Sequence, residues 1–203
     1  MKKIQKLIIQ VFSFLALIFN GSCLEAQNHT DNTKKLIVYL SRTHNTEAVA
    51  QMIQQRVGGD LETLQLQEPY PENYQQIVDQ VQKENETGFL PPLKPLKVEL
   101  SAYDTIFVGF PTWGMQLPPP VKSFLKNSDL RGKTIIPFNT NAGFGVGSGF
   151  DTVKQMSEGA TVLKGFSVEG GYEKKGVFLA IKEERAQEVA ILLERWLKSL
   201  KIK

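Results

Sequence analysis

At 203 residues the chain has room for one domain of ordinary size, and its 22% charged and 41% hydrophobic content are those of a soluble globular protein. Lys and Arg number 24 against 21 Asp and Glu, but removing the N-terminal stretch with Lys2, Lys3 and Lys6 leaves 21 against 21. A formally neutral protein argues against nucleic-acid binding, and two histidines with one cysteine argue against a soft metal site.

The N-terminal stretch has the layout of a secretory leader. A basic start is followed by a largely apolar run over residues 7–19, short for a full membrane span, and by small Gly21 and Ser22. Cys23, the only cysteine, cannot form an intramolecular disulfide. Its position resembles the processing site of bacterial lipoproteins, where such a cysteine becomes the lipidated first residue; Asn20 departs from the leucine-like residue usual there. The alternative is cleavage further on, after Ala26. The expected division is a signal peptide over 1–22, a polar tether over 23–34 and a folded domain over 35–203. The protein is then exported to the cell envelope and held at a membrane by a lipid on Cys23. With no twin-arginine pair, the chain is expected to cross the membrane unfolded.

Residues 36–40 form a continuous apolar run with a β-branched and aromatic share, which predicts a buried strand. Ser41, Arg42, Thr43, His44 and Asn45 break it. From Thr46, apolar Val49, Ile53 and Val57 recur every four residues, the period of a helix with one buried face. Asn45 or Thr46 is the expected N-cap, with Glu47 in the first turn. Gly58-Gly59 stops the helix. An imperfectly alternating edge strand is predicted over 60–67, and an amphipathic helix over 73–85 through Tyr74, Ile77, Val78 and Val81. The proline-rich stretch 88–96 reads as an extended surface crossing.

A second apolar strand is predicted over 103–110, then a loop to Gln116 and a short helix that starts among Pro118, Pro119 and Pro120. A third strand spans 134–138, a glycine-rich loop 139–149 and a helix 150–157. One last strand is expected over 160–168 and a closing amphipathic helix over 180–200. Alternating strands and helices imply a parallel sheet covered on both faces, with the loops after the strands gathered on one edge. Ligands of such sheets bind at that edge, where the strand order reverses.

Three loops of different chemistry are expected there. Residues 41–46 offer hydroxyls, amides and N–H groups at a helix start, the donors that a phosphate needs. Neither the Rossmann glycine pattern nor a nucleotide P-loop is present. Trp113 stands at a strand tip, where stacking on a planar ligand or packing on the following prolines would cover it. Gly143, Gly145, Gly147 and Gly149 surround Phe144 and permit close backbone approach.

Together the loops resemble those of the flavodoxin-like family, over residues 35–201. Ser41, Thr43, Asn45 and Thr46 are similar to that family's S-x-T-x-N-T phosphate loop for FMN. Pro111, Thr112, Trp113 and Gly114 resemble the loop along its isoalloxazine ring, and Asn141, Ala142, Gly143, Phe144 and Gly145 the loop over the other side. The resemblance implies a flavodoxin-like, doubly wound α/β fold with a five-stranded parallel sheet in the order 2-1-3-4-5. It also implies FMN as cofactor, seated between the first, third and fourth strands. Arg42 and His44 lie within the phosphate loop and complete the expected cofactor-binding set; no residue is assigned to catalysis or to a metal.

The family serves electron shuttles, reductases and interaction modules. Its shuttles are strongly acidic and crowd negative charge round the flavin, which lowers its potential. Without the leader this chain is formally neutral, it has no acid from Pro111 to Pro120, and Met115 stands where shuttles commonly carry one. The expectation is an FMN-dependent oxidoreductase that reduces a small, quinone-like acceptor or passes electrons at the membrane surface, with donor and acceptor unnamed. The alternative is an exported, non-redox binding module of the same fold.

Overall fold

Alternation within the strands builds the two faces of the protein. In the computed structural model, which describes residues 33–202, β1 (Lys35–Tyr39) pairs in parallel with β2 (Asp60–Thr63) on one side and β3 (Thr105–Pro111) on the other. β3 pairs with β4 (Thr134–Asn141), and β4 with both β5 (Thr161–Val162) and β6 (Phe166–Glu169). The order is β2-β1-β3-β4-β5, with β6 added to β4. The expected 2-1-3-4-5 sheet is therefore present. The leader and Cys23 lie outside the described residues.

Side chains at successive strand positions point to opposite faces. Leu36, Val38, Ile106, Val108 and Ile135 pack on one face with Val121, Phe124 and Leu125 of α3 (Pro119–Asn127) and Val153 of α4 (Gly149–Met156). Ile37, Tyr39, Phe107, Ile136 and Phe138 pack on the other with Val49 and Ile53 of α1 (Asn45–Val57) and Val189, Leu193 and Trp196 of α5 (Glu183–Leu200). The remaining helix, α2 (Tyr74–Thr87), lies beside α3 and buries Ile77, Val81 and Glu84.

Four differences from the expected elements are the largest. The edge strand ends at Thr63, although Leu66 makes an isolated antiparallel bridge to Leu93 of the proline-rich crossing. β4 runs on to Asn141, so Asn139 and Thr140 belong to the strand and not to the glycine-rich loop. The closing helix begins at Glu183. The last strand is split between Val162 and Phe166. Two contacts account for the split: the Phe150 ring sits 2.6 Å from where a Cβ on Gly165 would be, and the Lys164 carbonyl accepts the Trp196 indole N–H at 2.9 Å.

Candidate functional site

The loops after β1, β3, β4 and β6 enclose a crevice of about 450 Å³ at the carboxyl edge of the sheet. Its walls include Arg42, Thr43, Asn45 and Thr46 from the first loop, residues 111–115 from the second, and Thr140, Asn141, Ala142, Phe144 and Gly145 from the third. The loop after β6 adds Gly171, Tyr172, Glu173 and Lys174, and α2 adds Tyr74. Of the expected set, Ser41, His44 and Gly143 do not line it.

The N-cap of α1 is His44, not Asn45 or Thr46. His44 takes the left-handed conformation (φ 62°) and caps with no side-chain bond, and its carbonyl accepts the Ala48 N–H at 2.9 Å. Its imidazole leaves the crevice, 72% exposed, with Nδ1 2.7 Å from Glu47 Oε2. Asn45 and Thr46 fall in the first turn and are 3% and 1% exposed. The Asn45 carboxamide works inward. Its Nδ2 donates to Thr43 Oγ1 at 2.9 Å and to the Phe178 carbonyl at 2.6 Å, while Oδ1 accepts the N–H groups of Ala180 and Ile181. Thr46 Oγ1 lies 2.8 Å from Thr140 Oγ1.

These bonds leave the donors of the loop for a ligand. No acceptor among the described residues meets the backbone N–H groups of residues 42–46. Ser41 Oγ already accepts the Glu47 N–H at 3.3 Å, and Thr43 Oγ1 accepts from Asn45, so each hydroxyl keeps its proton to give. Free N–H groups and hydroxyls at the positive end of a 13-residue helix make a seat that suits an anion.

Arg42 adds no free charge to that seat. Its guanidinium holds Glu173 through Nε at 2.9 Å and Nη2 at 2.9 Å, and donates to the carbonyls of Pro71 and Glu72. It ties three loops together. The crevice wall carries one carboxylate, Glu173, neutralised by Arg42, and the uncompensated charge is that of Lys174.

The second loop is a two-residue turn. Trp113 and Gln116 exchange backbone bonds across Gly114 (φ 55°) and Met115 (φ 60°), and both central residues are left-handed. Glycine suits the first of those positions. Trp113 is half-buried, and its ring meets Tyr70 edge-to-face at 5.6 Å. Tyr70 in turn donates its hydroxyl to the buried carboxylate of Glu84, and burial together with that bond pushes the phenol pKa far up. A neutral, fixed phenol backs the indole.

The third loop hangs on Asn141. Its Oδ1 accepts the N–H groups of Gly143 at 2.9 Å and Gly145 at 3.0 Å, and its Nδ2 donates to Ser167 Oγ. Thr112 Oγ1 donates to the Gly145 carbonyl and accepts from Asn139 Nδ2, which fastens the second loop to the third. Gly147 allows their closest approach, because a Cβ there would lie 2.0 Å from the Met115 carbonyl oxygen. Phe144 is 66% exposed and meets Tyr172 edge-to-face at 5.7 Å.

An anion seat with aromatic side chains beside it suits a phosphorylated molecule with a flat ring. The sequence profile of the flavodoxin family matches residues 34–179. The chain belongs to the flavodoxin family. Among solved structures, the fold is similar to a Bacteroides eggerthii protein provisionally described as a flavoprotein, at 24% identity and TM-score 0.67, over 85% of this chain and 100% of that one. A second similar protein, from Bacteroides uniformis and described in the same terms, has 23% identity and TM-score 0.66, over 82% and 99%. A flavoprotein of Lactobacillus acidophilus in complex with FMN has 21% identity and TM-score 0.59, over 66% and 92%. These likenesses concern the fold. No curated protein matches the sequence.

Sequence reasoning missed Tyr74, Thr140, Tyr172, Glu173 and Lys174 in the flavodoxin crevice. Tyr172 had a signal: an aromatic residue directly after Gly170-Gly171, in the loop that ends the last strand and so faces the same edge.

Proposed function

We propose that this member of the flavodoxin family is an FMN-dependent oxidoreductase that reduces a small, quinone-like acceptor or passes electrons at a membrane surface. Its cofactor is FMN. The observation that carries this is the crevice itself, where unpaired N–H donors and hydroxyls at the start of α1 share one cavity with Trp113 and Tyr172. Arg42, Thr43, Asn45 and Thr46 line the phosphate end; N–H groups and the Thr43 hydroxyl hold the charge there. Trp113, Gly114, Phe144, Gly145 and Tyr172 line the part suited to a ring. FMN supplies one- and two-electron chemistry, and the chain binds it, orients it and sets the charge around it.

That charge favours a reductase over an acidic shuttle. The one carboxylate in the crevice wall is spent on Arg42, and Lys174 stands beside it. A cationic surrounding stabilises the anionic reduced flavin, which raises its potential. A potentiometric titration of the FMN-loaded protein tests this. The expected reduced couple lies at or above that of free FMN; a couple well below it would make the protein a low-potential shuttle. Export and a lipid anchor on Cys23 complete the proposal, and mass spectrometry of the mature N-terminus checks them.

A further inference from the structure

A second cavity, of about 540 Å³, lies beside the crevice and shares Arg42, Tyr74, Thr112, Trp113, Gly114 and Glu173 with it. Its floor is the apolar face of α2, formed by Ile77, Val78 and Val81, and Trp113 contributes a wall. Val78 is 37% exposed there.

Three carboxamides line this cavity, Gln82, Asn85 and Gln116, and one lysine meets the last two. Lys122 Nζ donates to Asn85 Oδ1 at 2.8 Å and to Gln116 Oε1 at 3.5 Å. An ammonium only donates, so it fixes which end of each amide faces it. The carbonyl oxygens are taken, and both NH₂ groups remain as donors without an acceptor among the described residues. Arg42 and Glu173 cancel each other at the cavity, and the charge that remains on its wall is that of exposed Glu86, which accepts from the neutral Gln82 Nε2 at 2.8 Å. The Glu86 carboxylate disfavours an anion. A purely aliphatic ligand would leave both amide donors unmet, at a cost once water is displaced.

We propose that this cavity binds a neutral apolar ring bearing carbonyl oxygens, laid against Val78, Val81 and Trp113, with its oxygens accepting from Asn85 and Gln116. The proposal rests on the redox function only in making this ligand the electron acceptor; binding itself needs no FMN.

Calorimetric titration with 2-methyl-1,4-naphthoquinone, with and without saturating FMN, tests the site. Saturable binding is expected in both cases, weakened at least tenfold by Val78→Lys and by Gln116→Glu. Both positions are exposed, and circular dichroism confirms that each variant folds. FMN affinity should change less than twofold in either. No saturable binding, competition between quinone and FMN, or an affinity that both variants leave unchanged would overturn the proposal. Binding that responds to the variants in a protein that takes up no FMN would uphold this site and overturn the redox function instead.

Discussion

The first and third loops serve one crevice on opposite plans. Residues 41–46 are anchored from below, with Asn45 and Thr46 almost wholly buried and bonded to segments more than 90 residues away. Residues 142–148 hang from Asn141 and expose two-thirds of Phe144. Under the proposed function, the difference matches what each end of a flavin nucleotide asks for. Hydrogen bonds to a phosphate fade within a few tenths of an ångström, so their donors must be held in place beforehand. A ring surface is satisfied by dispersion and tolerates a loop that adjusts. On that proposal the buried first loop is the preorganised seat, and the exposed third loop the cover.

Asn45→Ala should have the largest effect on the site. It removes the bonds to Thr43, Phe178, Ala180 and Ile181, and leaves buried backbone groups unmet. The expected cost is about 3 kcal/mol in a denaturant melt, with FMN affinity at least tenfold lower. Asn141→Ala should weaken FMN only severalfold and cost about 1 kcal/mol, because Gly143 and Gly145 can turn to water. Equal losses from the two variants would erase the contrast between the loops.

Thr46→Val leaves the buried Thr140 hydroxyl without its partner. It should destabilise by about 1–2 kcal/mol and change FMN affinity no more than threefold. Arg42→Gln tests whether the guanidinium stays with Glu173. A half-buried ion pair predicts less than a twofold loss of FMN affinity, and a tenfold loss would show that Arg42 turns to the phosphate on binding.

The amino end of the sheet supplies the control, with no expected effect on FMN. Tyr103 donates to Asp60 Oδ2 at 2.6 Å, and that bond together with burial pushes its pKa up to about 12. The folded state then holds a proton that the unfolded chain loses above about 10, so stability falls as pH rises from there towards 12. Tyr103→Phe should flatten this part of the pH–stability curve, measured by chemical denaturation.

The architecture was legible because burial writes itself locally. The four-residue spacing of Val49, Ile53 and Val57 marks α1, and the apolar runs at 36–40 and 103–110 mark the two central strands. The first loop was legible as a donor-rich turn from strand to helix but not in its division of labour. Asn45 carries a type of group that binds phosphates, yet it serves the protein interior, because its partners lie 133 to 136 residues away. The Arg42–Glu173 tie, 131 residues apart, is hidden for the same reason. The split of the last strand depends on the Phe150 and Trp196 rings, which no local period reveals.

The most direct test is the visible absorption spectrum of the purified protein, followed by titration with FMN. The account predicts flavin bands that remain with the protein, saturation at one FMN per chain and a matching loss of Trp113 fluorescence. A colourless protein that leaves added FMN free would contradict it, and the fold would then serve a binding module without electrons.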